Sequence, residues 1–120
     1  MIKVEAIVRE EKLEDVKDAL RQIDVMGLTV YQVMGCGTQR GYKDTVRGTD
    51  VTINMLPKIK FEILVSNEEW EQKTIRAIQQ AARTGNIGDG KIVSFEIRDA
   101  VRIRTGETGT DAIQPRDEEE

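Results

Sequence analysis

Hydrophobic and polar residues alternate from the first positions of the chain. Ile2, Val4, Ala6 and Val8 take one parity and Lys3, Glu5 and Arg9 the other, the two-residue period of a strand with one buried face. Ile7 breaks the polar set and predicts partial cover on the second face. Over residues 11–24 the period lengthens: Leu13, Val16, Ala19, Leu20 and Ile23 share one helical stripe, and Gly27 punctuates its end. A second strand over 28–35 carries Leu28, Val30 and Val33 and stops at Gly35. Residues 36–56 have no helical period and are interrupted by Gly37, Gly41 and Gly48, which predicts a long loop of the kind that is usually functional or disordered. Val51, Ile53, Met55 and Leu56 give its returning limb strand character.

Pro57 precedes a third strand over 58–65, with Ile59, Phe61, Ile63 and Val65 on one face. Ser66 and Glu69 form a capping box for a second helix, which runs to about Arg83 with Trp70, Thr74, Ile78 and Ala81 inward. Gly85 suits a left-handed C-terminal cap. A turn over 86–90 leads to a fourth strand over 91–97, and a short extended segment follows around Val101 to Arg104. This order is that of an α+β, ferredoxin-like βαββαβ sandwich: an antiparallel sheet with two helices on one face. Residues 1–108 form the domain and residues 109–120 an acidic C-terminal tail.

Composition changes this picture in two ways. With 120 residues and only two Tyr, two Phe and one Trp, the core rests on Ile, Val, Leu and Ala. So light a core, under a sheet with an open face, predicts burial against further copies of the chain. The absence of His and the single cysteine, Cys36, exclude a zinc cluster, a Ser-His-Asp triad and an intrachain disulfide, and a reducing cytoplasm is the natural setting. A net charge of −4 provides no basic field for nucleic acid. No apolar run reaches membrane-spanning length, and Met1 leads straight into a charged strand rather than a signal peptide.

Three segments carry candidate chemistry. In Thr84-Gly85-Asn86-Ile87-Gly88-Asp89-Gly90-Lys91, three glycines let backbone N–H groups converge on an anion and Lys91 adds positive charge. It leads from a helix into a strand, the reverse of a Walker A loop, and an ordinary helix cap with a tight turn is the competing reading. In Arg102-Ile103-Arg104-Thr105-Gly106, strand parity would place both guanidinium groups on one side to grip a polyphosphate; a charged, protected edge strand is the alternative. In Gly35-Cys36-Gly37-Thr38-Gln39-Arg40-Gly41, flexible backbone permits close approach and Gln39 offers an acceptor and donors, although a hinge at the loop base explains the glycines as well. Cys36 reads as a packing residue. Lys58 is either a strand-entry charge or a cation for a small dicarboxylate, and Glu62 is an outward strand residue able to pair with a cation.

Taken in order, these segments resemble the PII nitrogen-regulatory family from Met1 to about Thr108. The resemblance rests on Gly27-Leu28-Thr29-Val30, the Gly35–Gly41 stretch, Arg47-Gly48, Leu56-Pro57-Lys58-Ile59-Lys60, Ala82 through Lys91, and Arg102 through Glu107. It implies a homotrimer whose subunit clefts bind ATP or ADP. By analogy Thr29, Gly35, Gly37, Thr38, Gln39, Glu62, Leu64, Gly88, Asp89, Gly90, Lys91, Arg102 and Arg104 line the nucleotide site. With Mg²⁺ and ATP in place, 2-oxoglutarate would bind at Gln39, Gly41, Lys58 and Gly88, Gln39 completing the metal shell. The loop over about 37–55 would be the T-loop that contacts targets such as an ammonium channel, nitrogenase or nitrogen-assimilation enzymes, with Arg47 as the channel-entering residue. No membrane insertion is implied, only recruitment by such a partner.

The chain also departs from the family pattern. Val51 stands where the modifiable T-loop Tyr is usual, Thr38 replaces a phosphate-contacting Arg, and Glu10-Glu11 replaces a Pro-Phe pair. A slow ATPase at the same site, and a PII-like sensor of another small molecule, are the alternatives to the sensor reading; no candidate base for hydrolysis stands out.

Overall fold

The computed structural model describes residues 1–25, 27–39 and 52–114. Its sheet has the order β2-β3-β1-β4, built from β1 (Ile2–Arg9), β2 (Leu28–Gln39), β3 (Thr52–Val65) and β4 (Gly90–Glu96). All three ladders are antiparallel. Between the strands lie α1 (Leu13–Gln22), entered through a single 3-10 turn at Glu10–Lys12, and α2 (Glu68–Ala82). A short helix, α3 (Thr110–Ile113), follows β4. This is the ferredoxin-like βαββαβ arrangement.

The alternation of β1 is realised without exception: Ile2, Val4, Ala6 and Val8 are buried, and the residues between them are half-buried. Ile59, Phe61, Ile63 and Val65 of β3 join them on the same face. Val16 and Leu20 of α1 and Thr74, Ile78 and Ala82 of α2 close over that face. Ala82, rather than Ala81, is the buried member at the end of the second stripe.

Both helix ends differ from the sequence reading in their caps. Asn67, not Ser66, is the N-cap of α2, and its side chain accepts the Trp70 N–H at 3.0 Å. At the end of α1 the left-handed position is Asp24, with φ 64°, three residues before Gly27. Val25 N–H donates to Leu20 O and Asp24 N–H to Arg21 O, both at 2.9 Å, a Schellman closure in which Val25 and Leu20 are both buried. Gly85, with φ 91°, does not cap α2 either; Arg83 ends that helix in extended geometry.

The larger correction concerns β2 and β3. The second strand does not stop at Gly35 and the third does not begin at Lys58. They pair continuously from Leu28↔Ile63 to Gln39↔Thr52, so residues 36–39 and 52–56 are ribbon rather than loop, and the rest of the expected loop, 40–51, lies outside the described residues. The β1 ladder ends at Arg9↔Lys58, which leaves β2 and β3 to run on as two strands alone. Pro57 is tolerated there because it lies just past the β1 ladder, where its missing N–H can face the open edge.

The segment around Arg102 is also not a strand. Val101 and Thr108 form one isolated bridge, and Arg102 N–H to Glu107 O and Gly106 N–H to Arg102 O, both 2.8 Å, close a tight hairpin. The parity argument that aligned Arg102 with Arg104 therefore does not apply. Among the described residues, no helix is long and apolar enough to cross a membrane.

Candidate functional site

The connection from α2 to β4 is organised by one carboxylate. Asp89 Oδ2 accepts the backbone N–H groups of Thr84 at 2.9 Å and Gly85 at 2.8 Å. Asp89 Oδ1 accepts the Thr84 hydroxyl and, at 3.0 Å, Arg9 Nε–H. Thr84 Oγ1 in turn accepts Asn86 N–H at 3.1 Å. The Thr84 hydroxyl first, then Arg9 and the two backbone N–H groups, hold the Asp89 carboxyl well below the usual carboxylate range against an opposing desolvation. The residue is therefore a fixed anion, and its lone pairs point inward at the turn.

Two cations grip the far side of the turn. Arg9 Nη2 donates to Ile87 O and Lys58 Nζ donates to Gly88 O, each at 2.8 Å. Arg9 and Lys58 are direct partners in the β1–β3 ladder, so like charges stand opposite each other. Among the described residues, Arg9 has a carboxylate partner while Lys58 rests on a neutral carbonyl, and Lys91 follows as an exposed residue of β4. Positive charge therefore exceeds negative charge around the turn, which suits an anion.

Gly90 and Gly35 make this geometry possible. Gly90 has φ 104°, and a Cβ on it would lie 1.8 Å from Ile7 O, so no side chain can enter the start of β4. A Cβ on Gly35 would lie 2.9 Å from Lys58 Cγ; the bare backbone leaves room for the lysine stem whose Nζ reaches Gly88 O.

The candidate residues thus form two groups. Gly35, Lys58, Gly88, Asp89, Gly90 and Lys91 gather near the Arg9 end of β1. Thr29 pairs with Glu62, and Leu64 pairs with Lys3, toward the other end. Lys58 and Leu64 are six residues apart on one strand, about 20 Å. Glu62 belongs to an ion network on the open sheet face: Lys3 bridges Glu5 and Glu62 at 3.3 Å each, and Lys60 lies 3.3 Å from Glu5 and 3.8 Å from Glu62. Tyr31 Oη–H donates to Glu62 at 2.5 Å and is the first cause of its lowered pKa.

Arg102 has its guanidinium 3.2 Å from Glu107 and donates to the carbonyls of Asp111 and Gln114, so it ties the hairpin to the end of α3. Arg104 is exposed at the hairpin tip beside Ile103, which is 99% exposed. Gly37, Thr38 and Gln39 lie on β2 opposite Asn54, Ile53 and Thr52; Gly41 and Arg47 fall outside the described residues. A cleft of about 230 Å³ adjoins the turn on the helix side, between Ile7, Ile78, Ala82, Asp89 and Lys91. That volume is below the range usual for a small-molecule pocket. Arg9 escaped the sequence reading, which gave it only as a polar strand position. Counting the antiparallel register from the strand ends would have set it opposite Lys58.

Comparison with known proteins agrees with this geometry. The profile described as Nitrogen regulatory protein P-II matches residues 1–107. "Nitrogen regulatory protein P-II 1" of Methanothermobacter thermautotrophicus is 51% identical over 113 residues, covering 94% of this chain and 97% of its own. "Nitrogen regulatory protein P-II" of Rhodospirillum rubrum is 48% identical, covering 94% of this chain and all of its own. Among solved structures, B. subtilis GlnK and its ATP complex each superpose with a TM-score of 0.77, at 36% and 33% identity. They cover 92% of this chain and 96% and 94% of theirs.

Proposed function

Because the chain belongs to the P-II family of nitrogen regulatory proteins, we propose that it is a cytoplasmic homotrimeric sensor. It binds ATP or ADP between subunits and reports the occupant through the arm formed by β2 and β3. The observation that carries this reading is the Thr84–Gly90 turn, gripped by Arg9 and Lys58 and left with surplus positive charge beside Lys91. The ATP complex of the similar GlnK supports the ligand class.

Two observations favour a site shared between copies. The turn with Lys91, and Thr29, Glu62 and Leu64, lie along the sheet face that the helices leave open, so a nucleotide held across them would need a cover from another copy. Exposed Ile87, Val93, Phe95 and Ile103 leave apolar surface at both ends, and assembly would cover it. In the trimer, the turn and Lys91 of one copy would meet Thr29, Glu62, Leu64 and the Arg102–Arg104 hairpin of the next.

Lys58 suits a dicarboxylate. Its ammonium rests on the neutral Gly88 carbonyl, and a carboxylate such as that of 2-oxoglutarate would replace this acceptor with a charged, stronger one. Mg²⁺ fits the donor chemistry as a phosphate-held ion: among the described residues no cluster of acidic, His or Cys side chains could hold a metal alone, and Mg²⁺ is usually carried largely by substrate oxygens. Gln39 would add an amide oxygen. Occupancy then shifts the population of T-loop states because each ligand favours one of them. An ammonium channel, nitrogenase or a nitrogen-assimilation enzyme is the proposed reader, with Arg47 as the contact.

Calorimetric titration of ADP, ATP, and Mg-ATP with 2-oxoglutarate tests the proposal. Binding of both nucleotides, and 2-oxoglutarate binding only with Mg-ATP, is expected. A stable monomer indifferent to adenine nucleotides would overturn it. Sustained rapid ATP turnover would favour the enzyme reading.

A further inference from the structure

An acidic residue at the centre of an anion site is a paradox of charge. Asp89 is ionised and belongs to the turn whose neighbours, Lys58 and Lys91, would attract phosphate or carboxylate. Its charge must be offset and its oxygens kept turned away before an anion can settle beside it. The two backbone N–H groups and the Thr84 hydroxyl satisfy the oxygens but bring no net charge. Among the described residues, Arg9 alone brings Asp89 a positive charge.

Arg9 also has a second hold. Its Nε–H reaches Asp89 Oδ1 at 3.0 Å while Nη2 reaches Ile87 O at 2.8 Å, so one planar group holds the turn at two points, directly at Ile87 and through Asp89 to the Thr84–Gly85 limb. The guanidinium is carried by the last residue of β1, whose neighbour Val8 pairs with Gly90. Its anchor is therefore an inner strand of the sheet, and the turn inherits that rigidity. Lysine could reproduce the charge but not the fork.

We infer that Arg9 is a positioning residue for the anion site: it neutralises Asp89 and locks the Thr84–Gly90 turn in the shape that receives a nucleotide's phosphates. The inference deepens the nucleotide-sensor reading and rests on it for the identity of the ligand.

The test compares Arg9→Ala, Arg9→Lys and Arg9→Gln in the full chain, with two readouts. The first, amide hydrogen exchange at Thr84 and Gly85, needs no nucleotide. Arg9→Ala should accelerate it about tenfold, whereas Arg9→Lys should recover part of the protection through charge alone. The second is ADP affinity. A roughly tenfold loss is expected for Arg9→Ala and Arg9→Gln, with a smaller loss for Arg9→Lys. Added to Asp89→Asn, Arg9→Ala should cost less than about threefold more, because the two residues act as a unit.

Unchanged exchange in Arg9→Ala, or fully additive losses with Asp89→Asn, would overturn the inference; additivity would mean that the two residues act independently. If the unaltered protein does not bind ADP, the nucleotide reading fails, and the exchange arm alone decides whether Arg9 orders the turn. Should Arg9→Ala fail to fold, Arg9→Lys against Arg9→Gln still separates charge from fork.

Discussion

Asp89 accepts from Thr84 twice, once from its backbone N–H and once from its hydroxyl, and so folds the connection between α2 and β4 back on itself. Asp89→Asn should weaken nucleotide binding by roughly tenfold, because the amide loses the Arg9 pair and keeps only one acceptor oxygen. Titration calorimetry with ADP measures this, and an unchanged helix signal by circular dichroism confirms that the fold is intact. The same carboxyl sets a pH expectation. Its folded pKa is depressed, so its contribution is complete above the ordinary carboxylate range near pH 4 and is lost as pH falls through the lower folded value. Order in the turn should therefore be flat across about pH 5 to 8 and fail only in stronger acid, which amide exchange at Gly85 would show.

Gly90→Ala tests the junction of β1 and β4. The new methyl group meets Ile7 O at 1.8 Å and the backbone sits at φ 104°, so strain and clash act together. A loss of about 3 kcal/mol or more is expected, read as a clear fall in thermal midpoint. A midpoint unchanged from that of the native chain would mean that β4 can leave β1 without cost.

Lys58→Gln should separate the two ligands. Nucleotide affinity should change by no more than about threefold, since the glutamine can still donate to Gly88 O, while Mg-ATP-dependent 2-oxoglutarate binding should drop by about a hundredfold with the ammonium gone. Gln39→Ala is expected to impair 2-oxoglutarate in the same assay. Equal losses for nucleotide and 2-oxoglutarate in Lys58→Gln would argue against the assignment.

Arg102 and Arg104, two residues apart, should behave differently. Arg104→Ala ought to weaken ATP without altering the C-terminal segment, because Arg104 is exposed at the hairpin tip. Arg102→Ala removes the Glu107 pair and the bonds to Asp111 and Gln114 carbonyls, so it should also destabilise residues 107–114 locally by about 1–3 kcal/mol. Limited proteolysis near α3 distinguishes the two. Lys91→Ala should resemble Arg104→Ala, with assembly preserved.

The layered part of the fold was legible because burial writes itself into sequence parity. Ile2 to Val8 and Ile59 to Val65 alternate since one face of each strand packs under the helices. The β2–β3 extension was not legible for the converse reason. Past Arg9 and Lys58 no third strand is in register among the described residues, so no buried face imposes alternation, and Gly35 and Gly37 look like loop residues. Exposed Met34, Met55 and Leu56 mark the place where this change occurs.

The site was legible in its glycines and lysines but not in its connections. The Thr84–Lys91 stretch announces a glycine-rich turn beside cations, whereas the place of Arg9 against it depends on a register that only pairing reveals. Arg102 looked like strand because charge alternates with Ile103. The hydrogen bonds of a tight hairpin, closed by Gly106 and Glu107, decide otherwise.

The unaccompanied stretch of β2 and β3 has a mechanical consequence. Among the described residues, from Met34↔Pro57 to Gln39↔Thr52 the two strands pair with no further strand, over about 17 Å. Lys58 and Gly35 sit at its root, so the arm behaves as a cantilever with its clamp at the proposed ligand site. A tilt of about 10° there would carry the far end sideways by about 3 Å. Rearrangements too small to notice around a phosphate would thereby become displacements large enough for another protein to feel.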